Sequence, residues 1–162
     1  MMEKERIDDY GSGFVVVSRV SGGGQYAIGA YELDTYCLGV RHALYYARLT
    51  RSEHDAIINT FKTRSGGFET VPYNVAHNWV WGAVDFASEA GIAPAPEFSV
   101  AKYLLEDDED ESIPLELYPF GDGDMYHLIG PPEIIRKYRP ILEANLKEEQ
   151  YMVTVQPSDI EY

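Results

Sequence analysis

The chain has 162 residues, of which 45% are hydrophobic and 13% aromatic, so it can form one compact domain with its own core and is not largely disordered. A single cysteine excludes an internal disulfide framework and fits a reducing compartment. The formal net charge of −14, from 27 acidic and 13 basic residues, disfavours direct binding to nucleic acid or anionic lipid and favours basic partners.

The two ends of the chain are polar. Residues 1–12 contain no apolar stretch typical of a secretory signal, so they predict a flexible leader. No apolar run approaches the roughly 20 residues that span a bilayer. We therefore expect a cytoplasmic protein with no membrane contact, in which residues 13–156 form one domain and residues 157–162 a tail.

The first half of this domain begins with two predicted strands. Residues 14–20, "FVVVSRV", are rich in β-branched side chains, residues 21–24, "SGGG", indicate a turn, and residues 25–36 continue as a second strand. The apolar stretch over residues 37–50 fits either a helix or a strand. Thr50 and Glu53 have capping-box spacing and predict the start of a helix over residues 50–64.

The clearest helix covers residues 74–91, where apolar side chains recur every three or four positions. Six consecutive acidic residues at 106–111, "EDDEDE", predict a solvated loop because adjacent carboxylates repel. Residues 113–120, the turn "GDGD" and residues 125–130 predict a second hairpin. A proline-led helix over residues 131–149 and a strand over residues 151–156 follow.

This order of elements favours a single α+β domain. We expect an antiparallel or mixed sheet, built from the two hairpins and packed against two or three helices.

The lone cysteine raises the question of catalysis. A cysteine nucleophile needs a base within hydrogen-bond reach, and His42 or His77 are the candidates for Cys37. However, Leu38, Val40 and other apolar residues surround Cys37, and a thiol in such surroundings is inert. The sequence therefore predicts a buried structural thiol, and a Cys–His hydrolase remains as an alternative.

No cofactor or metal site is expected from the sequence. The four histidines are scattered and there is one cysteine, which does not match a zinc site. Asp122 and Asp124 alternate in "FGDGDMY", but the 12-residue calcium loop and its closing glutamate are missing, and an Asp-Gly turn explains the pattern better.

Partner-binding residues are predicted in two places. His77, Trp81 and Asp85 lie on the helix face opposite the apolar stripe. Trp81 there predicts either packing beneath the proline-rich connector at residues 92–98 or an exposed interface anchor. The acidic run is either a solvated loop or a docking element for a basic surface, and its residues are Glu106, Asp107, Asp108, Glu109, Asp110 and Glu111.

Three phrases carry a family resemblance: "GAYELDTYCLGVRHA", "AHNWVWGAVDFASEAGIAPAPEF" and "FGDGDMYHLIGPPE". In this order they resemble a family of uncharacterised bacterial domains with D-x-x-C-L-G-V, G-A-x-x-F-A-x-x-x-G-x-x-P and F-G-x-G motifs, over residues 13–156. The chain departs from that pattern in "GDGDM" and in its acidic run. The family has no assigned reaction, so the resemblance implies one continuous domain and no catalytic residue.

We therefore expect no enzyme, but an acidic protein-binding domain. The predicted role is that of an inhibitor or immunity-type partner of a basic protein, such as a toxin, a nuclease or another nucleic-acid-acting protein. An alternative is an accessory subunit of a larger bacterial complex, such as a defence complex. The sequence leaves the oligomeric state open.

Overall fold

The computed structural model describes residues 1–65 and 67–157, and it confirms the α+β class. Most of the predicted tail, residues 158–162, lies outside the described residues. The helices are α1 (Lys4–Tyr10), α2 (Arg51–Ser65), α3 (Tyr73–Glu89), α4 (Phe98–Ala101) and α5 (Pro132–Asn145), with single 3-10 turns at Lys102–Leu104 and Glu148–Gln150. The strands are β1 (Ser12–Val20), β2 (Tyr26–Asp34), β3 (Gly39–Leu49), β4 (Tyr126–Gly130) and β5 (Tyr151–Val155).

The larger sheet is antiparallel in the order β1-β2-β3. The predicted first hairpin is formed, with Val16 opposite Ala30. The glycine turn closes it, and Gly24 there has a φ of 75°. Glycine adopts this left-handed backbone conformation at little cost in free energy. The ambiguous stretch after β2 is a turn followed by β3, which pairs with β2.

Helices cover both faces of this sheet, and this explains the unbroken apolar run in β1. Val15 and Val17 point into a core that also contains Trp79 and Val80 of α3. Val16 points to the opposite face, into a smaller core beneath Ile57 of α2. A strand that is buried on both faces is apolar throughout rather than alternating.

The start of α2 follows the predicted capping box. The Glu53 backbone N–H donates to the Thr50 hydroxyl at 3.2 Å, and the Thr50 N–H donates to the Glu53 carboxylate at 3.1 Å. Two amide groups that have no partner within the helix are thereby satisfied.

The second predicted hairpin is not formed. Only a tight turn remains of it, with an isolated bridge between Asp122 and Met125, and residues 113–120 are in no strand. Instead, β4 pairs in parallel with β5, and Leu128 lies opposite Val153. The long connection through α5 makes this parallel pairing possible, and α5 closes a third core that includes Cys37, Leu128 and Leu142.

The predicted flexible leader is instead packed against the larger sheet. Met2 and Glu3 are buried, and the Met2 backbone bridges to both Val15 and Glu69. α1 follows, with Ile7 buried against the core, and it ends at Gly11, whose φ is 71°. The prediction rested on polar composition, but two apolar residues of the leader, Met2 and Ile7, are buried in the larger core.

Among the described helices, none combines the length and apolar character needed to cross a membrane.

The packing of α1 leads to a stability prediction. Replacing Ile7, which is 2% exposed, with Ala should lower the free energy of unfolding by about 2–4 kcal/mol, because it leaves a cavity in the core. Tyr10→Ala on the same helix is the control, since this side chain is 71% exposed and should change stability by less than about 0.5 kcal/mol. Urea unfolding followed by circular dichroism measures both, and equal midpoints for Ile7→Ala and the unmodified protein would show that α1 is undocked.

Candidate partner-binding site

Glu106, the first residue of the acidic segment (residues 106–111), is fixed to the body of the protein through its carboxylate. The Arg19 guanidinium of β1 donates to both carboxylate oxygens, at 2.8 and 2.9 Å. The Tyr73 hydroxyl at the start of α3 also donates to this carboxylate, and the Arg19 guanidinium stacks 4.5 Å above the Tyr73 ring. A single nitrogen of Arg19, Nη2, makes both contacts, while Nε donates to the Leu104 carbonyl at 3.1 Å. Charge-assisted hydrogen bonds are stronger than neutral ones, so this pair sets the position where the acidic segment begins.

The Glu106 backbone carbonyl is held by two side chains of α3. It accepts a hydrogen bond from His77 Nε2 at 3.1 Å and another from Trp81 Nε1 at 3.0 Å. Nε2 carries the proton of His77 in this arrangement, since a carbonyl only accepts. Residues 77 and 81 are one helical turn apart, so both donors reach the same oxygen.

These contacts shift the acidity of the groups involved. Burial raises the pKa of Glu106, but the hydrogen bonds from Tyr73 and Arg19 outweigh it, and the net pKa lies below its usual range. Burial and the same hydrogen bond raise the pKa of Tyr73 to about 12. The carboxylate is therefore ionised and the phenol protonated at neutral pH, which is the state that the hydrogen bond requires.

The rest of the acidic segment faces the solvent. Asp107, Asp108, Glu109 and Glu111 are exposed, while Asp110 is half-buried. Asp110 accepts hydrogen bonds from the backbone and hydroxyl of Ser112, at 2.9 and 2.6 Å, which closes a local turn. The fixed residue at the start and this turn near the end hold four exposed carboxyl groups together on the surface.

Asp85 of α3 lies beside this segment. Partial desolvation, a hydrogen bond with Asp108 and the charges of Asp108, Glu89 and Glu109 raise the pKa of Asp85 to about 7. Nearby carboxylates resist being ionised together, so one of them retains a proton at a higher pH than usual.

A groove of about 260 Å³ separates α3 from residues 114–120. Asn78 donates to the Pro114 carbonyl at 2.9 Å, and the Trp79 and Tyr118 rings stack with 4.3 Å between their centroids. Between these two attachments, Leu115 and Leu117 are 77% and 87% exposed. This leucine pair therefore stands beside the acidic segment on a stretch of chain that is fixed at both ends.

The structure brings most of the predicted partner-binding residues together, but with different roles. His77 is only 2% exposed, so it positions the acidic segment and does not form part of the surface. Trp81 is half-buried, with its ring 5.3 Å from that of Phe98 in an edge-to-face contact, and it lines a cavity beside Pro94 and Pro96. This position corresponds to one of the two interpretations of Trp81 from the sequence, in which it packs beneath the proline-rich connector.

Cys37 does not meet a histidine. It is fully buried in the core closed by α5, and no hydrogen bond joins its sulfur to an imidazole in the described part of the chain. Burial and the nearby Asp34 carboxylate raise the pKa of the thiol to about 12. His42 is exposed on β3, and His77 is bonded to the Glu106 carbonyl, so neither is placed as a base for Cys37.

A polar chain that the sequence did not single out joins β4 to its neighbours. His127 Nδ1 is 2.9 Å from Asp122, and Nε2 is 2.7 Å from the Thr154 hydroxyl of β5. The short spacing of Asp122 and His127 is visible in the sequence, but Thr154 joins them only because β4 and β5 pair in parallel. Across residues 1–65 and 67–157, no group of three or more His, Cys, Asp or Glu side chains is placed to hold a metal ion.

Comparisons with known proteins give no relative. No family model, no curated protein and no solved structure matches this chain. The resemblance to an uncharacterised bacterial family therefore stays a prediction.

The burial of Cys37 predicts a slow reaction with alkylating reagents. At pH 7 iodoacetamide should leave the folded protein unmodified over hours and label it within minutes in denaturing urea, because only the thiolate reacts and the native thiol is both buried and protonated. Mass spectrometry reads the result without ambiguity, since the chain has one cysteine. Rapid labelling in native buffer would reopen the hydrolase alternative.

The raised pKa of Asp85 predicts a pH dependence of stability. A carboxyl whose folded pKa exceeds its unfolded value of 3.8 stabilises the fold at low pH, and this contribution is lost as the pH rises towards about 7. Asp85→Asn should therefore raise the urea midpoint at pH 8, with a gain in the free energy of unfolding of less than about 1 kcal/mol because solvent screens the exposed group. Glu149→Gln is the control, since this carboxyl is exposed and has no ion pair among the described residues, and it should leave the midpoint unchanged. A lower midpoint for Asp85→Asn at pH 8 would contradict the repulsion.

Proposed function

We propose that the protein is an acidic protein-binding domain of the cytoplasm that acts as an inhibitor or immunity-type partner of a basic protein. The observation that carries this proposal is the fixed acidic segment beside the leucine pair. Glu106 is bound by Arg19, Tyr73, His77 and Trp81, so the exposed carboxylates that follow it are held in place.

Charge supports a basic partner. The chain has a net charge of −14, and the acidic segment concentrates four exposed carboxylates within residues 107–111. Such a concentration speeds association with a basic surface and repels acidic ones. Fixing the segment in advance also reduces the conformational entropy that is lost on binding.

The leucine pair supplies the apolar part of the proposed interface. Protein interfaces combine a desolvated apolar centre with a polar rim, and Leu115 and Leu117 are flanked by the carboxylates of Asp108 and Glu116 along the same groove. Exposed carboxylates raise the association rate and the specificity of an interface more than its affinity. In this proposal the leucine pair therefore supplies most of the affinity.

A nucleic-acid-acting partner fits this chemistry. Proteins of that kind carry a cationic site that neutralises several phosphates. Closely spaced carboxylates match such a site in sign, so a domain bound there competes with the nucleic acid. Inhibition by occupation needs no catalytic group in the inhibitor, which agrees with the inert environment of Cys37.

The exposed leucines also favour a second candidate, an accessory subunit of a larger bacterial complex. In that case the apolar contact dominates, and association is insensitive to salt. An electrostatically steered partner instead dissociates as ionic strength rises, because salt screens exposed charges.

The proposal predicts a salt-sensitive complex with a basic host protein. The tagged chain, incubated with host extract at about 50 mM salt, should retain such a protein and release most of it at about 500 mM, where the screening length is much shorter. The triple variant Asp107→Asn, Glu109→Gln, Glu111→Gln should retain at least about tenfold less, because it removes three of the exposed charges without touching Glu106 or Asp110.

The matched control is Glu97→Gln, Glu148→Gln, Glu149→Gln, which removes the same charge from exposed positions elsewhere and should bind as the unmodified chain does. If both triple variants lost the same amount of bound host protein, the effect would come from net charge alone and not from the acidic segment. Retention that resists high salt would favour the accessory subunit.

A further inference from the structure

A second candidate site lies where the two sheets meet. Backbone hydrogen bonds from Gly121 to the Thr35 carbonyl and from His127 to the Tyr36 carbonyl, at 2.8 and 3.1 Å, join the β2–β3 turn to β4. Beside this junction, α1, β2, β3, β4 and Gln156 enclose a cleft of about 660 Å³. This volume is within the range of small-molecule sites. The cleft shares no lining residue with the acidic segment.

Two arginines, Arg6 and Arg41, line this cleft in a chain whose formal net charge is −14. Within the described residues, no carboxylate oxygen lies within 4.0 Å of the Arg41 guanidinium, and the closest ion pair of Arg6 is to Glu3 at 3.9 Å. The Glu3 carboxylate is buried and also accepts a hydrogen bond from the Phe14 backbone at 2.7 Å. Both guanidinium groups therefore keep donors available for the planar oxygens of a carboxylate or phosphate.

Asp34 lines the same cleft and is only 8% exposed. The backbone N–H groups of Tyr36 and Cys37 donate to its Oδ1 at 2.9 and 3.1 Å, and the Leu38 N–H also bonds to this carboxylate. A carboxylate accepts about four hydrogen bonds, so it has capacity for a further donor. Burial raises the pKa of this carboxyl, while the backbone hydrogen bonds and Arg41 oppose that shift. Within the described chain no basic side chain lies within 4.0 Å of this carboxyl, so an amino group on a ligand would add a charge-assisted hydrogen bond without displacing an ion pair.

Aromatic rings complete the cleft. Tyr36 stacks against His127, with ring planes 10° apart, and His127 is held by Asp122 and Thr154. Tyr10 is 71% exposed at the same cleft. Rings that are held in place offer a flat apolar surface to a flat group on a ligand. Asp9 also lines the cleft, but it is exposed, and solvent screens its repulsion of an anion.

We propose that this cleft binds a small molecule that combines a carboxylate or phosphate with an amino group. The anionic group lies against Arg6 and Arg41, and the amino group donates to Asp34. Two kinds of metabolite carry this combination together with a flat ring: aromatic α-amino acids and nucleoside monophosphates with an exocyclic amine.

Calorimetric titration of the full chain with four probes tests the proposal. Cytidine monophosphate and phenylalanine carry the required amine, whereas uridine monophosphate and N-acetylphenylalanine match them without it. We expect at least one amine-bearing probe to bind with a Kd below about 1 mM and its partner to bind at least about tenfold more weakly. Binding of phenylalanine would identify the ligand class as aromatic amino acids, and binding of cytidine monophosphate would identify it as nucleoside monophosphates. No binding at about 10 mM, or equal binding within each pair, would overturn the proposal.

Variants assign the binding to this cleft. Arg41→Gln should weaken the binding probe at least about tenfold without loss of fold, because Arg41 is exposed and has no ion pair to lose in the described residues. Arg136→Gln on α5 is the control and should bind normally. Asp34→Asn keeps an acceptor for the backbone hydrogen bonds and adds an amide donor. It should therefore reduce the ratio of affinities between the amine-bearing probe and its amine-free partner. Unchanged affinity in a folded Arg41→Gln protein would overturn the assignment.

Discussion

The arrangement of the candidate surface depends on one residue, Glu106. Its carboxylate takes two hydrogen bonds from Arg19 and one from Tyr73, and its carbonyl takes two more from His77 and Trp81. These partners come from β1 and α3, so a single residue connects the acidic segment to the larger sheet and to the helix that covers it. Without these bonds, a run of carboxylates would repel and spread into solvent.

This connection explains why α3 carries polar groups opposite its apolar stripe. The stripe, with Trp79 and Val80, packs on the sheet, whereas His77 and Trp81 donate hydrogen bonds to the acidic segment and are covered by it. Helical periodicity identified the stripe correctly. For the other side it left two alternatives, Trp81 packed beneath the proline-rich connector or exposed as an interface anchor. A covering loop leaves no periodic signal, so the role of His77 as a donor inside the protein was not predictable.

Features that depend on local sequence patterns were predicted, whereas features that depend on contacts between distant parts of the chain were not. The first hairpin, the capping box at Thr50 and Glu53, and α3 depend on local patterns, and all are present. The parallel pairing of β4 with β5 depends on a partner about 25 positions along the chain, which local turn chemistry does not specify. The candidate surface follows the same rule, since the acidic run was visible as composition, but its attachment through Arg19 was not.

The central claim is that the acidic segment is held in one position before any partner binds. Hydrogen exchange of residues 106–113, followed by mass spectrometry, measures this most directly. We predict that the backbone amides of Glu106, Asp110, Ser112 and Ile113, which donate hydrogen bonds, exchange well below the rate of an unstructured peptide in the unmodified protein. In Arg19→Gln these amides should exchange much faster, with α3 and β2 unchanged. Exchange at the unstructured rate in the unmodified protein would contradict the account.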